Sequence, residues 1–174
     1  PFVNSCVGGL TAEASAATSV AQKRRFGTAA YLMSTLRTVR NFDSIRVTVE
    51  MYDDPDTVPV WTGDAVGVLI GNARRFPPSG SEQADVEDGR FDVTLVRDRG
   101  SVGLLRAVTA ERLFNRESQW TARYTVSRID ITVDDGPVAF SLDGEIIRRR
   151  QLSLRIRPRA LRVAVGDAYE PTPG

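Results

Sequence analysis

Histidine is missing from all 174 positions, and cysteine and lysine occur once each, as Cys6 and Lys23. Without histidine there is no Ser-His-Asp or Cys-His triad and no histidine-based zinc site. A single cysteine forbids an intrachain disulfide, so a reducing, cytoplasmic setting is expected. Long apolar runs are lacking too. The longest, residues 66–70, falls far short of the roughly 20 residues a membrane-spanning helix needs. Nothing at the start reads as a signal peptide, and the first residue is Pro1 rather than an initiator methionine. Net charge is only +1, too little for a strong field toward nucleic acid, and no nucleic-acid partner is expected.

The composition that remains is that of a soluble globular chain, 41% apolar and 26% charged. Its length allows one large domain or two small ones with a proper core. Residues 11–40 carry a helical pattern, with Phe26, Ala29, Ala30, Met33 and Leu36 at spacings of three and four and Gly27 as a break. From Ser44 the period becomes two: Ile45, Val47 and Val49 alternate with Arg46, Thr48 and Glu50. "AVGVLIGN" reads as a buried strand and "RFDVTLVRD" as a half-buried one. A second helix is expected over residues 101–114, with Ser101 as N-cap. Four further alternating runs follow: "ARYTVSRIDITV", "GPVAFSL", "LSLRIRP" and "ALRVAV". The expected fold is mainly β, an antiparallel sandwich with helical insertions. Residues 77–89 read as a polar loop, and residues 167–174 as a tail.

Four local features could carry chemistry, and each has a plain reading beside it. Gly8-Gly9 could bring backbone N–H groups to an anion at a helix start, or simply turn strand into helix. Asn72 with Arg74 and Arg75 could grip a phosphate, or lie in a solvated loop. Asp85, Glu87 and Asp88 offer oxygens suited to a hard cation, yet Asp-Gly also signals an ordinary turn. In "FSLDGEII", Asp143 and Glu145 would share a sheet face if the run were extended, and could then work as a general base and its partner. The same Asp143-Gly144 pair is a strong hairpin signal. Arg148, Arg149, Arg150, Arg155, Arg157, Arg159 and Arg162 make the last third basic. On alternating strands they would line one exposed face, either solvated or set against anionic lipid.

Taken in order, these stretches resemble those of the diacylglycerol kinase and sphingosine kinase-like lipid kinases. "FVNSCVGGLTAE" is similar to that family's FxNxxxxGxxAE, and "KRRFGTAAYLMSTLR" to its basic-Phe-Gly-x-x-x-Tyr helix. "AVGVLIGNARRFPPSGSEQADVEDGRFDVTLV" resembles its GN…DDGxLDV stretch, "PVAFSLDGEII" its LDGE strand, and "IRPRALRVAV" its closing segment. Departures occur at Phe76-Pro77-Pro78 in place of a double glycine, at Gln83-Ala84 in place of Ala-Pro, and at Val165-Gly166 in place of a final proline. They put lipid specificity and loop shape in doubt and leave the acidic positions untouched.

The resemblance implies that residues 1–166 are the C-terminal sandwich of a two-domain lipid kinase, of the type shared with the NAD kinases. The family's phosphate-binding Gly-Gly-Asp-Gly-Thr motif is not in this sequence. ATP would therefore be bound mainly by an N-terminal domain absent from this chain, and this chain alone would be inactive. By position, Asp143 matches the family's general base and Glu145 its acidic partner. Asp88 matches an aspartate that helps hold a structural Mg²⁺, and Asn72 and Arg74 fall where substrate contacts are expected. Implied partners are ATP, Mg²⁺, a lipid alcohol such as diacylglycerol and a peripheral membrane surface, with a homodimer left open. Two alternatives stand beside this: a NAD kinase-like enzyme for a soluble substrate, and a lipid-binding module without catalysis.

Overall fold

A computed structural model describes residues 1–9, 44–53, 58–72, 87–98, 121–167 and 169. Both expected helices, residues 11–40 and 101–114, lie outside the described residues, as do Arg74, Arg75, Asp85 and most of the tail. The described residues form nine strands: β1 (Ser5–Gly9), β2 (Ile45–Tyr52), β3 (Val60–Gly71), β4 (Phe91–Arg97), β5 (Thr121–Val126), β6 (Arg128–Val133), β7 (Val138–Leu142), β8 (Glu145–Arg149) and β9 (Gln151–Arg155). Every pairing is antiparallel. The order runs β8-β7-β1-β3-β2-β6-β9, with β4 between β3 and β5. This is the β-sandwich the sequence pattern predicts.

Two strands change partners and so bend the sheet into layers. In β3, residues 60–65 pair with β2, and residues 67–71 pair with β1 and β4. The register shifts between Ala65 and Gly67, as expected where a bulge turns a corner. The run "ARYTVSRIDITV" is not one strand but two. It breaks at Ser127, whose N–H and hydroxyl both bond the Tyr52 carbonyl, at 3.1 and 3.0 Å. Before the break it pairs with β4, and after it with β2 and β9. The strands at the two ends of the order, β8 and β9, are joined through Arg150 alone, so the sheet nearly closes on itself.

The core follows from this folding. Val47, Val49 and Met51 of β2 are fully buried and meet Ile129, Ile131 and Val133 of β6, also fully buried. Each such side chain contributes roughly 1.5–3 kcal/mol by leaving water. The outward residues Arg46 and Glu50 stay exposed, as the period of two predicts. β1 and the second half of β3 are buried on both faces. So is nearly all of β4, which corrects its reading as half-buried: it lies inside the sheet between β3 and β5.

"ALRVAV" is a second correction. Residues 160–165 form no strand, and Leu161, Val163 and Val165 stand 60%, 68% and 56% exposed. Alternation predicts a strand only where a free sheet edge and a core face receive it. Here the chain leaves the sheet after β9, past Pro158 and the left-handed Arg159 (φ 55°).

Candidate active site

The sequence leaves "FSLDGEII" open between an extended run and a hairpin. It is a hairpin. Leu142 pairs with Glu145, closing a two-residue turn of Asp143 and Gly144 with φ of 48° and 99°. Two successive left-handed residues are what the right-handed twist of a tight hairpin demands, and Asp-Gly meets that demand at low cost. Asp143 and Glu145 are therefore not alternate residues on one strand face. Asp143 sits at the tip and Glu145 begins β8, and both are exposed.

The surroundings of the two carboxylates differ. Asp143 accepts three backbone N–H bonds from the segment leading into β1. Val3 donates to Oδ2 at 2.6 Å, and Asn4 and Ser5 donate to Oδ1 at 2.9 and 2.8 Å. The Asp143 N–H returns a bond to the Ser5 carbonyl at 2.9 Å. Glu145, by contrast, has no hydrogen bond or ion pair to its carboxylate among the described residues.

Asn72 reaches the same segment. Its N–H donates to the Asn4 carbonyl at 2.9 Å and its side-chain Nδ2 to the Val3 carbonyl at 3.1 Å. Phe2 stacks on Phe91, ring centroids 5.7 Å apart, and so ties the segment to the start of β4. The strand register explains the convergence. Ser5 pairs with Gly71, Gly71 with Asp92 and Cys6 with Leu142, so the turns holding Asn72, Asp88 and Asp143 lie at one end of the sheet.

Asp88 is exposed and turns the chain into β4: its Oδ1 accepts the Arg90 N–H at 2.8 Å, while Arg90 pairs with Asp53 at 2.8 Å. A carboxylate is the right ligand type for Mg²⁺, but one carboxylate is not a site. Among the described residues no group of three or more Asp, Glu, Cys or His is placed to hold a metal ion. By themselves these residues do not fit a bound Mg²⁺.

Gly8 and Gly9 do not form the anion cradle that the sequence allows. Gly8 lies inside β1 beneath Phe140, where a Cβ would fall 2.5 Å from the ring's Cε1. Gly9 has φ +84°, and a Cβ there would meet the Val66 carbonyl oxygen at 2.8 Å. Both serve close packing. The arginine stripe is also not one strand face. Arg148 and Arg149 are on β8 and Arg155 ends β9, while Arg157, Arg159 and Arg162 lie beyond the last strand. Arg150 turns back onto the Val133 and Asp134 carbonyls, at 3.2 and 3.4 Å.

Cys6 is buried behind the turn. Burial first, and then the nearby Asp143 charge, push its thiol up to about 12. It stays protonated at neutral pH and is no nucleophile. What the sequence hides is the role of residues 3–5, because they act through backbone N–H groups that no residue type marks. Phe2 and Phe91, which stack and both lie in the quoted motifs, are one trace of how that segment is held.

A family model described as the YegS C-terminal NAD kinase beta sandwich-like domain matches residues 4–165. The chain belongs to this family. The YegS-type sandwich has curated relatives named "Probable lipid kinase YegS-like". One, from Pseudomonas aeruginosa, is 29% identical over 165 residues, covering 93% of this chain and 52% of that protein. Another, from Alcanivorax borkumensis, is 28% identical over 173 residues, covering 93% and 54%. The fold is shared with a crystal structure of a candidate diacylglycerol kinase from Bacillus anthracis str. Sterne, at TM-score 0.66 and 24% identity, covering 90% of this chain and 50% of that one. The chain thus spans about half the length of the relatives it matches.

Proposed function

We propose that this YegS-type sandwich is the lipid-substrate side of an ATP-dependent lipid kinase. It would present the hydroxyl of diacylglycerol or a related lipid alcohol to the γ-phosphate of MgATP, held mainly by a nucleotide-binding half. The lipid oxygen attacks the γ-phosphorus, the bond to the β-phosphate oxygen breaks, ADP leaves, and the hydroxyl proton passes to a carboxylate of the β7–β8 turn. A hydroxyl is a poor nucleophile at neutral pH, and a positioned carboxylate is worth roughly 10²–10⁴-fold. The rest of phosphoryl transfer is positioning and charge neutralisation.

The observation that carries this reading is the β7–β8 turn itself. It sets Asp143 and Glu145, whose carboxylate has no partner among the described residues, in solvent at the sheet end where Asn72 and the segment leading into the sandwich meet. Asp88 is proposed to help hold a structural Mg²⁺ with ligands from outside the described residues, and Arg74 to contact substrate. The exposed Arg157, Arg159 and Arg162 would favour a peripheral position on anionic lipid from the cytoplasmic side.

The test is a panel of lipid alcohols with γ-labelled ATP, run on the chain alone and joined to a nucleotide-binding half. Labelled phospholipid from the joined form only is the expected result. Transfer to a soluble acceptor such as NAD would replace the lipid reading, vesicle binding without transfer would leave a binding module, and turnover by the chain alone would remove the need for a second domain.

A further inference from the structure

We infer that Asn72 is a positioning residue for the Asp143 carboxylate, acting through the two peptide units that join Val3, Asn4 and Ser5. Its effect on turnover rests on the kinase reading, with Asp143 as the base; the linkage itself does not.

Both peptide units are held between the two residues. The Val3 carbonyl accepts Asn72 Nδ2 at 3.1 Å, and the Asn4 N–H of the same unit donates to Asp143 Oδ1 at 2.9 Å. The Asn4 carbonyl accepts the Asn72 N–H at 2.9 Å, and the Ser5 N–H of that unit donates to the same Oδ1 at 2.8 Å. A trans peptide is planar, with C=O and N–H pointing opposite ways, so fixing one aims the other. Bonds in such a chain also polarise one another. Of the two bonds from Asn72, only the first comes from its side chain. Any residue except proline could supply the second.

The carboxylate held in this way has two unlike oxygens. A carboxylate has about four acceptor sites, two on each oxygen. Oδ1 fills both of its own on Asn4 and Ser5, while Oδ2 takes the Val3 N–H alone, at 2.6 Å. Among the described residues Oδ2 therefore keeps one lone pair, on a residue exposed at the hairpin tip. It is the atom left to receive the proton of a substrate hydroxyl, and the two bonds on Oδ1 set the plane in which it does so. A misplacement of about 1 Å can cost ~10²-fold in rate. Asn72 is thus felt in turnover through Asp143, without touching substrate.

Amide hydrogen exchange on the 174-residue chain tests the linkage. In the wild type the Asn4 and Ser5 amides should be protected, and exchange at open-chain rates would overturn the linkage outright. In Asn72→Ala, protection of the Val3 and Asn4 amides should fall by roughly three- to tenfold. The amides of Val49 and Ile131, paired in the sheet, should keep wild-type protection and show that the sandwich is folded. Asn72→Asp keeps the side chain's shape but has no side-chain N–H to donate, and should lose the same protection. Unchanged Val3 and Asn4 amides in both variants would overturn the linkage.

In the joined form, Asn72→Ala should lower kcat by ~10–10² while KM for ATP and for the lipid alcohol stay within about twofold. A raised lipid KM with kcat unchanged would make Asn72 a substrate contact and end this assignment. If the wild type transfers no phosphate to any lipid, the kinase reading fails and the amide measurement still decides the linkage.

Discussion

Asn72 and Asp143 hold the same segment from opposite edges of one strand, Asn72 through Val3 and Asn4 and Asp143 through Val3, Asn4 and Ser5. Asn72 follows β3 and Asp143 follows β7, and these flank β1, with Cys6 opposite both Ile70 and Leu142. Where β1 begins, the two side chains bond the chain from either side: Asn72 donates to the Val3 carbonyl, and Asp143 accepts the N–H groups of Val3, Asn4 and Ser5. The segment is thus fixed from both sides, with three successive N–H groups converging on one carboxylate where those of a strand would alternate between its edges.

Gly144→Ala should destabilise the chain by about 1–2 kcal/mol although no atom lies within 4 Å of the added methyl. The loss comes from φ of 99°, a conformation that side-chain-bearing residues adopt poorly. Urea unfolding measures it, and an unchanged midpoint would show that the turn can relax.

Gly8→Ala introduces the opposite problem, a clash at an ordinary backbone position. The methyl would sit 2.5 Å from Phe140 Cε1 and force the ring, which is 1% exposed, out of its place. Overpacking of this kind costs typically ~1–3 kcal/mol. A Phe140→Leu change in the same chain should recover part of that loss, giving a double-mutant coupling with the sign of relief.

The Cys6 thiol gives a pH dependence with a definite sign. Its folded value near 12 lies above the ordinary value of 9.0, because the buried thiolate would be desolvated and set beside Asp143. The folded state then favours the protonated form. The contribution is fully present below pH 9 and is lost as pH rises from there through 12. Unfolding midpoints should fall over that window in the wild type and fall less in Cys6→Ala. Thiol reagents at pH 8 should modify the native chain only as fast as it opens.

Phe2→Ala should free the leading segment from β4. Losing the 5.7 Å stack on Phe91 removes about 0.5–1.5 kcal/mol beyond the buried area. Limited proteolysis should then cut ahead of β1 sooner than in the wild type, with the rest of the sandwich intact.

Much of this architecture could be read from residue order. The period of two in "SIRVTVEMY" gives β2 and its buried face, and the unbroken apolar run in "AVGVLIG" gives the doubly buried half of β3. Asp-Gly gives the hairpin because its conformational demand is local. Alternation misled at "ALRVAV", since a pattern cannot say whether an edge is there to receive it. The break at Ser127 was equally invisible, because the Tyr52 carbonyl that fixes it lies 75 positions away. At the site, motif order brought Asn72, Asp88, Asp143 and Glu145 forward, and the sheet register places their turns at one end. The partners of Asp143 could not be read, because they are peptide N–H groups that no residue type marks.

That dependence on the peptide unit sets how this corner tolerates change. Val3 is 57% exposed, and it is its N–H that Asp143 holds. In a saturation scan nearly any amino acid at position 3 should therefore pass unnoticed. Proline, with no hydrogen on its nitrogen to offer, should be the one substitution that registers.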